Sequence, residues 1–281
     1  MQKNNLTNAM SVDVEDYFQV SAFEKVISRD SWDNLNHRVE QNTDRILQIF
    51  SNCNIHATFF MLGWVAEHYP NLVRRIVESG HELASHGYNH IRVTTQNPKS
   101  FKEDVSRTKK LLEDLSGISV VGYRAASYSI GRNNLWAHEI LADTGYRYSS
   151  SIYPVRHDLY GMPEAPRFAF QTPKALLLEI PISTVRLFKQ NFPCGGGGYF
   201  RLFPYRLSRW ALRRVNQKDN QPCVFYFHPW EIDPEQPQQK NLKLKTRIRH
   251  YLNLKRMEKR LIRLISEFHW DRIDKVFPSK I

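Results

Sequence analysis

The chain has 281 residues, 41% of them hydrophobic, enough to bury one large core as a single α/β barrel or as two smaller domains. Its net charge of +12 invites an anionic partner, yet no window approaches the roughly 18 apolar residues of a membrane span, and MQKNNLTNAM has no signal-peptide apolar core, which predicts a cytoplasmic protein. Cys53, Cys194 and Cys223 lie far apart with no C-x-x-C, which excludes a disulfide framework and a Cys-rich zinc site and leaves any metal to histidines and carboxylates.

The first element in chain order is AMSVDV (9–14), an apolar run that predicts a strand ending in DVED. Alternation turns Asp13 and Glu15 to one face and Asp16 to the other, unless the chain has already left the strand. Such residues also suit a solvated loop or a helix N-cap. Asp13 sits directly behind the apolar run, where an unpaired carboxylate is costly to desolvate, and this favours a functional role. A helix follows over 38–52, then a strand in HATFFML (56–62), a helix over 71–80 stopped by Gly80, and a strand in HELASH (81–86).

SHGYNH (85–90) sets His86 and His90 four residues apart, one helical turn, so the two can share a face and close on one ion; capped or core histidines show the same spacing. The alternation continues with a helix over 100–117, a strand in VVGYRA (120–125) that delivers Arg124, a helix over 134–145 and a strand over 146–151. The last apolar strand lies in CVFYFHPWE (223–231) and ends at His228, which by itself reads equally as a packed core histidine. Strands alternating with helices predict a parallel sheet, curled into a barrel or doubly wound, with chemistry at the C-terminal strand ends. Asp/Glu, a His pair, Arg and His all fall at such ends.

From Lys240 to Arg263 ten Lys/Arg face one acid, Glu258. Leu254, Met257, Leu261, Ile262, Leu264, Ile265 and Phe268 recur at helical spacing there, which predicts an amphipathic helix with a buried apolar face and a basic solvated one. That basic face gives a weak second expectation, peripheral membrane contact; a nucleic-acid partner is not expected.

SVDVEDYFQV (11–20), the block 57–90 containing ATFFMLGWVAEHYP and ELASHGYNH, GYRAASYSI (122–130), SSSIYPVRHDLYGMP (149–163), EIPIST (179–184), GGGGYFRLFPY (195–205) and FYFHPWEID (225–233) carry a likeness. The chain resembles the polysaccharide deacetylases with a NodB homology domain, carbohydrate esterase family 4, and most closely the branch associated with exosortase and PEP-CTERM gene clusters. The resemblance covers about 9–265. It implies a distorted (β/α) barrel over 1–235 and a basic amphipathic helical extension over 236–281 packed on it.

It also implies one divalent metal ion, with zinc favoured, bound by His86 and His90. Asp13 becomes the general base, Arg124 the group that orients it and His228 the general acid. The third ligand stays open: alternation favours Glu15, a turning loop favours Asp16, and Glu15 as base with Asp16 as ligand is the remaining option. RAAS stands where the family more often has prolines after the Arg. The implied activity is hydrolysis of the N-acetyl groups of an amino sugar, in an exopolysaccharide or its precursor, with an N-acetylated polysaccharide or oligosaccharide as partner. The oxyanion would be held by the metal and the Ser127 backbone N–H. A non-catalytic glycan-binding protein and an amidase for a small cyclic amide are the alternatives; the facial triad of iron oxygenases goes with a different, β-helical fold. Tyr17, Phe18, Tyr128, Tyr160, Tyr199 and Trp230 are candidate sugar platforms or core residues, RHDLYGMP (156–163) is expected to border the cleft, and GGGGYF (195–200) is a flexible turn or a close-approach segment.

Overall fold

The computed structural model describes residues 6–158, 160–175 and 177–278. The strands are β1 (Thr7–Val14), β2 (Thr58–Met61), β3 (Glu82–Ser85), β4 (Gly122–Tyr123), β5 (Tyr148–Ser149), β6 (Phe170–Gln171), β7 (Leu178–Glu179), β8 (Thr184–Leu187), β9 (Gln190–Pro193), β10 (Val224–Phe227) and β11 (His269–Asp271). The helices are α1 (Val39–Cys53), α2 (Gly63–His68), α3 (Pro70–Glu78), α4 (Pro98–Ser116), α5 (Trp136–Asp143), α6 (Gly197–Leu202), α7 (Tyr205–Arg214), α8 (Leu244–Tyr251), α9 (Leu254–Glu267) and α10 (Ile273–Val276).

The main sheet runs β10-β1-β2-β3-β4-β5-β7, all parallel, with β6 antiparallel at the edge. Ser183 N–H donates to the Val224 carbonyl and Tyr226 N–H to the Gly195 carbonyl, so the segments after β7 and before α6 close the gap to β10. The result is a distorted barrel. Residue parity sorts its two cores. Ala9, Phe60, Ala84, Tyr148, Val224 and Tyr226 fill the interior, whereas Met10, Val12, Phe59, Met61, Leu83, Phe225 and Phe227 pack outward against the helices.

The predicted strands and helices all form near their expected places. The extension over 236–281 is not purely helical: β11 pairs in parallel with Thr7 to Ala9 of β1. Ala9 has Val224 on one side and Asp271 on the other, so β11 occupies the β2 side of β1, below the start of β2. HWD alternates polar and apolar over only three residues, too short a run to mark a strand in sequence. In α9, Leu254, Met257, Leu261, Leu264 and Ile265 are buried as expected, but Ile262 is 39% exposed. No helix among the described residues is long and apolar enough to cross a membrane.

Candidate active site

Strand parity decides which carboxylates meet. Asp13 points into the barrel, and Glu15 keeps that parity just past the strand end. Asp16 has the opposite parity and leaves the site: one oxygen accepts the Arg38 and Val39 backbone N–H groups at 2.6 and 2.9 Å, the other that of Tyr17 at 2.8 Å. It satisfies the first turn of α1, whose orphan donors attract a carboxylate. The option of Asp16 as metal ligand is therefore corrected; Glu15 is the carboxylate that joins the histidines.

The histidines are not on a helix. β3 ends at Ser85 and the chain continues as a loop, through Gly87 at φ 74° and His90 at φ 51°, and the loop, not a helical turn, brings the two rings to 5.3 Å between centroids. His90 holds a left-handed backbone without being glycine, a conformation that clusters at functional sites. His86 Nδ1 lies 2.8 Å from the Arg124 carbonyl, which can only accept, so the proton is on Nδ1 and Nε2 keeps a free lone pair. His90 Nε2 lies 3.0 Å from Glu15 Oε2. One candidate ligand atom from each of Glu15, His86 and His90 falls within 4.8 Å of the others.

Glu15 Oε2 and His90 Nδ1 are buried without a hydrogen bond, because the 3.0 Å approach of His90 Nε2 to Glu15 Oε2 lacks the geometry of one. A bare buried carboxylate oxygen is costly, and a divalent cation is what this donor set of two imidazoles and one carboxylate suits. The residues present fit the metal that the resemblance implies. Burial above all pushes the Glu15 carboxyl up to about 7, with Asp13 adding to it against the pull of His228. Burial pushes His86 down to about 4 and His90 well below its ordinary value, so both rings are neutral and free to bind a cation at neutral pH.

Arg124, completely buried, donates from Nη1 to Asp13 Oδ1 at 2.5 Å and to Ser11 Oγ at 2.9 Å. Its other nitrogens are fixed on the Ser150 carbonyl (3.1 Å) and hydroxyl (3.0 Å). Tyr128 Oη donates to Asp13 Oδ2 at 3.3 Å. Burial would raise the Asp13 carboxyl, but Arg124, His86 and His228 outweigh it and hold it below the ordinary range.

His228 follows β10 with Nε2 3.2 Å from Glu15 Oε1 and 4.0 Å from Asp13 Oδ2. Its Nδ1 donates to Glu231 Oε1 at 2.8 Å. Burial favours the neutral ring, but Glu15, Glu231 and Asp13 override it and raise His228 to about 9. Glu231 is anchored in turn by Arg201 Nε at 2.6 Å, and Arg201 spends its remaining N–H groups on the carbonyls of Arg249, His250 and Leu252. Sequence reading missed Glu231 and Arg201. The i,i+3 spacing of His228 and Glu231 is a capping-box signature that was available; nothing local marked Arg201.

The platform candidates separate as well. Tyr17, Phe18, Tyr128 and Trp230 are buried, the last stacked between His228 and His250; Tyr160 and Tyr199 are half-buried. Of RHDLYGMP, Leu159 lies outside the described residues. The glycine run is no flexible turn: Gly196 bridges to Tyr226 in the barrel wall, and a Cβ on Gly197 would meet the Glu231 carboxylate.

Residues 30–149 match the polysaccharide deacetylase family, and residues 150–278 match a domain of unknown function, DUF3473. The junction falls at the end of β5, inside one continuous sheet, so the two matched segments and β1 ahead of them build a single barrel. A peptidoglycan-N-acetylglucosamine deacetylase of Bacillus cereus is 35% identical over 98 residues, which cover 34% of this chain and 36% of that protein. The chain spans about a third of the length of the curated relatives it matches. Among solved structures, one from Mycobacterium smegmatis assigned to the polysaccharide deacetylases superposes with TM-score 0.61 at 19% identity, covering 95% of this chain and 86% of that one. An allantoinase superposes with TM-score 0.59 at 15% identity, covering 97% and 89%. These likenesses are of fold. The chain is an α/β protein with the distorted (β/α) barrel of the NodB type, and its residues 30–149 match the polysaccharide deacetylase family.

Proposed function

We propose that the chain is a metal-dependent hydrolase that removes N-acetyl groups from an amino sugar of an exopolysaccharide or its precursor. One observation carries this reading. At one strand-end cluster, a carboxylate held ionised (Asp13) and an imidazole held protonated (His228, about 9) stand 4.0 Å apart beside the Glu15, His86 and His90 group. Opposed shifts of that kind assign base and acid.

A divalent ion held by Glu15, His86 and His90, zinc in this reading, would polarise the acetyl carbonyl and acidify water at neutral pH. Asp13, fixed by Arg124 and Tyr128, takes the proton of the attacking water as its oxygen bonds to the acetyl carbon. The Ser127 backbone N–H is the candidate donor to the developing oxyanion. His228 gives its Nε2 proton to the amide nitrogen as the carbon–nitrogen bond breaks, releasing acetate and a free amine. Without that proton the intermediate would return to substrate. The resemblance of the sequence to the exosortase-associated branch supports an exopolysaccharide or its precursor as the source of the sugar. Half-buried Tyr199 is the platform candidate for it, since Tyr160 is stacked between His157 and Tyr153.

The test is acetate release from N-acetylated amino-sugar oligomers by protein stripped with a chelator and reloaded with zinc, cobalt or nickel. About one ion per chain and metal-restored release are expected. Asp13→Asn should lower kcat by about 10³ while metal content holds. Turnover of a small cyclic amide in place of the oligomers would move the activity to the amidase reading, and a chain that takes up no metal on reloading would overturn the proposal.

A further inference from the structure

α6, α7, α8 and α9 form one tied surface unit. Arg201 of α6 holds the carbonyls that end α8, Arg260 of α9 donates to the carbonyls of Phe200, Arg201 and Phe203, and Arg209 of α7 pairs with Glu267 of α9 at 2.6 Å. Residues 197–218 contain six Lys/Arg and no acid; residues 240–263 contain ten and only Glu258, which is occupied by Arg45 at 2.5 Å. Arg206, Arg214, Lys218, Lys255, Arg256 and Lys259 have no salt bridge among the described residues.

The same unit exposes apolar side chains. Leu202 is 51% exposed, Leu207 45%, Trp210 42%, Leu244 72%, Ile248 48% and Ile262 39%, set among those cations. In the rest of the described chain large exposed apolar residues are scattered singly or sit on the β8–β9 hairpin. A basic face alone fits any polyanion. Aliphatic and indole groups distributed through it fit an acyl boundary, where Arg and Lys reach headgroups while Leu, Ile and Trp enter below them.

We infer that the α6–α9 face docks on a bilayer rich in anionic lipid, through its Lys/Arg and the side chains of Leu202, Leu207 and Trp210. Docking does not depend on the reaction proposed above, and the two fail separately, because it is measured without substrate. An acidic polysaccharide or a nucleic acid has the charge to meet the cations but no apolar phase for Leu207 and Trp210.

Full-length protein is sedimented with vesicles of phosphatidylcholine alone and of phosphatidylcholine with phosphatidylglycerol, at rising salt. Retention on the anionic vesicles only, falling steeply with salt, is expected. Leu207→Ala with Trp210→Ala should lower the partition coefficient by about tenfold or more at unchanged charge. Arg206→Glu with Arg214→Glu should abolish retention. Arg206, Leu207 and Trp210 are exposed and Arg214 is half-buried, and an unchanged thermal melt certifies the fold of each variant. Two outcomes overturn the inference. One is retention that ignores the Leu207/Trp210 pair, which is plain adsorption of a cationic protein. The other is no retention on anionic vesicles with tight binding to a soluble polyuronate or to DNA.

Discussion

At the scale of single residues, the site is a set of carboxylates given different charges by their neighbours. Glu15 and Asp13 are two residues apart on one face, yet Asp13 faces Arg124 and stays ionised while Glu15 does not and rises to about 7. Metal must displace the Glu15 proton as pH falls, so affinity should weaken below about pH 7, and calorimetry in buffers of different ionisation heat should register proton release on binding. In the pH–rate profile the acidic limb should therefore move down as free metal is raised. The alkaline limb is set by loss of the His228 proton, and a cation on Glu15, whose charge contributes most to raising that group, should place it below the metal-free value of about 9. Glu15→Gln should lose the metal and stabilise the metal-free fold. Glu15 binds its proton more tightly folded than unfolded, so the metal-free wild type loses stability as pH rises from about 4.5 through about 7. The gap between variant and wild type should open across that window to on the order of 2–3 kcal/mol, read by denaturant melts at several pH values.

At the scale of elements, strand parity is what made the site legible. Asp13, Glu15, His86, Arg124 and His228 were all recognisable because each ends or just passes a strand, and the interior parity of that strand carries it inward. The same parity removes Asp16, a distinction that four letters of sequence could not make without knowing where β1 stops. The loop geometry of His86 and His90 was not readable: four-residue spacing fits a helical turn, and only the left-handed backbone at Gly87 and His90 replaces it. The Arg201–Glu231–His228 chain was hidden for a different reason, since it joins α6, the segment after β10 and the end of α8 across 50 residues. Glu231→Gln removes the anion that helps hold His228 protonated, so the alkaline limb should fall below that of the wild type at the same metal loading. Arg201→Ala should do more. It leaves Glu231 buried with only the His228 contact and takes the donor from the carbonyls of Arg249, His250 and Leu252, which costs about 3–5 kcal/mol, so the variant should melt earlier than Glu231→Gln, where Arg201 keeps those carbonyls. Equal melting of the two would deny Arg201 this anchoring role.

At the scale of the whole molecule, residues 150–278 complete the barrel that β1 and residues 30–149 begin. Asp13, the metal-ligand candidates and Arg124 come from the chain before β5, and His228 with its Glu231 and Arg201 support from the chain after it. The basic C-terminal segment belongs to the same structure. Leu254, Met257, Leu261, Leu264 and Ile265 of α9 pack into the main core, β11 extends the sheet along β1, and the carbonyls of Arg249, His250 and Leu252 hold Arg201. Five such side chains at about 1.5–3 kcal/mol each contribute on the order of 10 kcal/mol, comparable to the entire stability of an ordinary domain. Truncation after Gln239 should therefore not yield a folded barrel lacking an appendage. The shortened chain should be insoluble or lack a cooperative melt, and it should take up no metal although every candidate ligand is retained. A truncated protein that melts cooperatively and binds one ion would make the C-terminal segment an addition to an independent barrel, and the support of His228 by Arg201 would then have to survive without the carbonyls that now fix it.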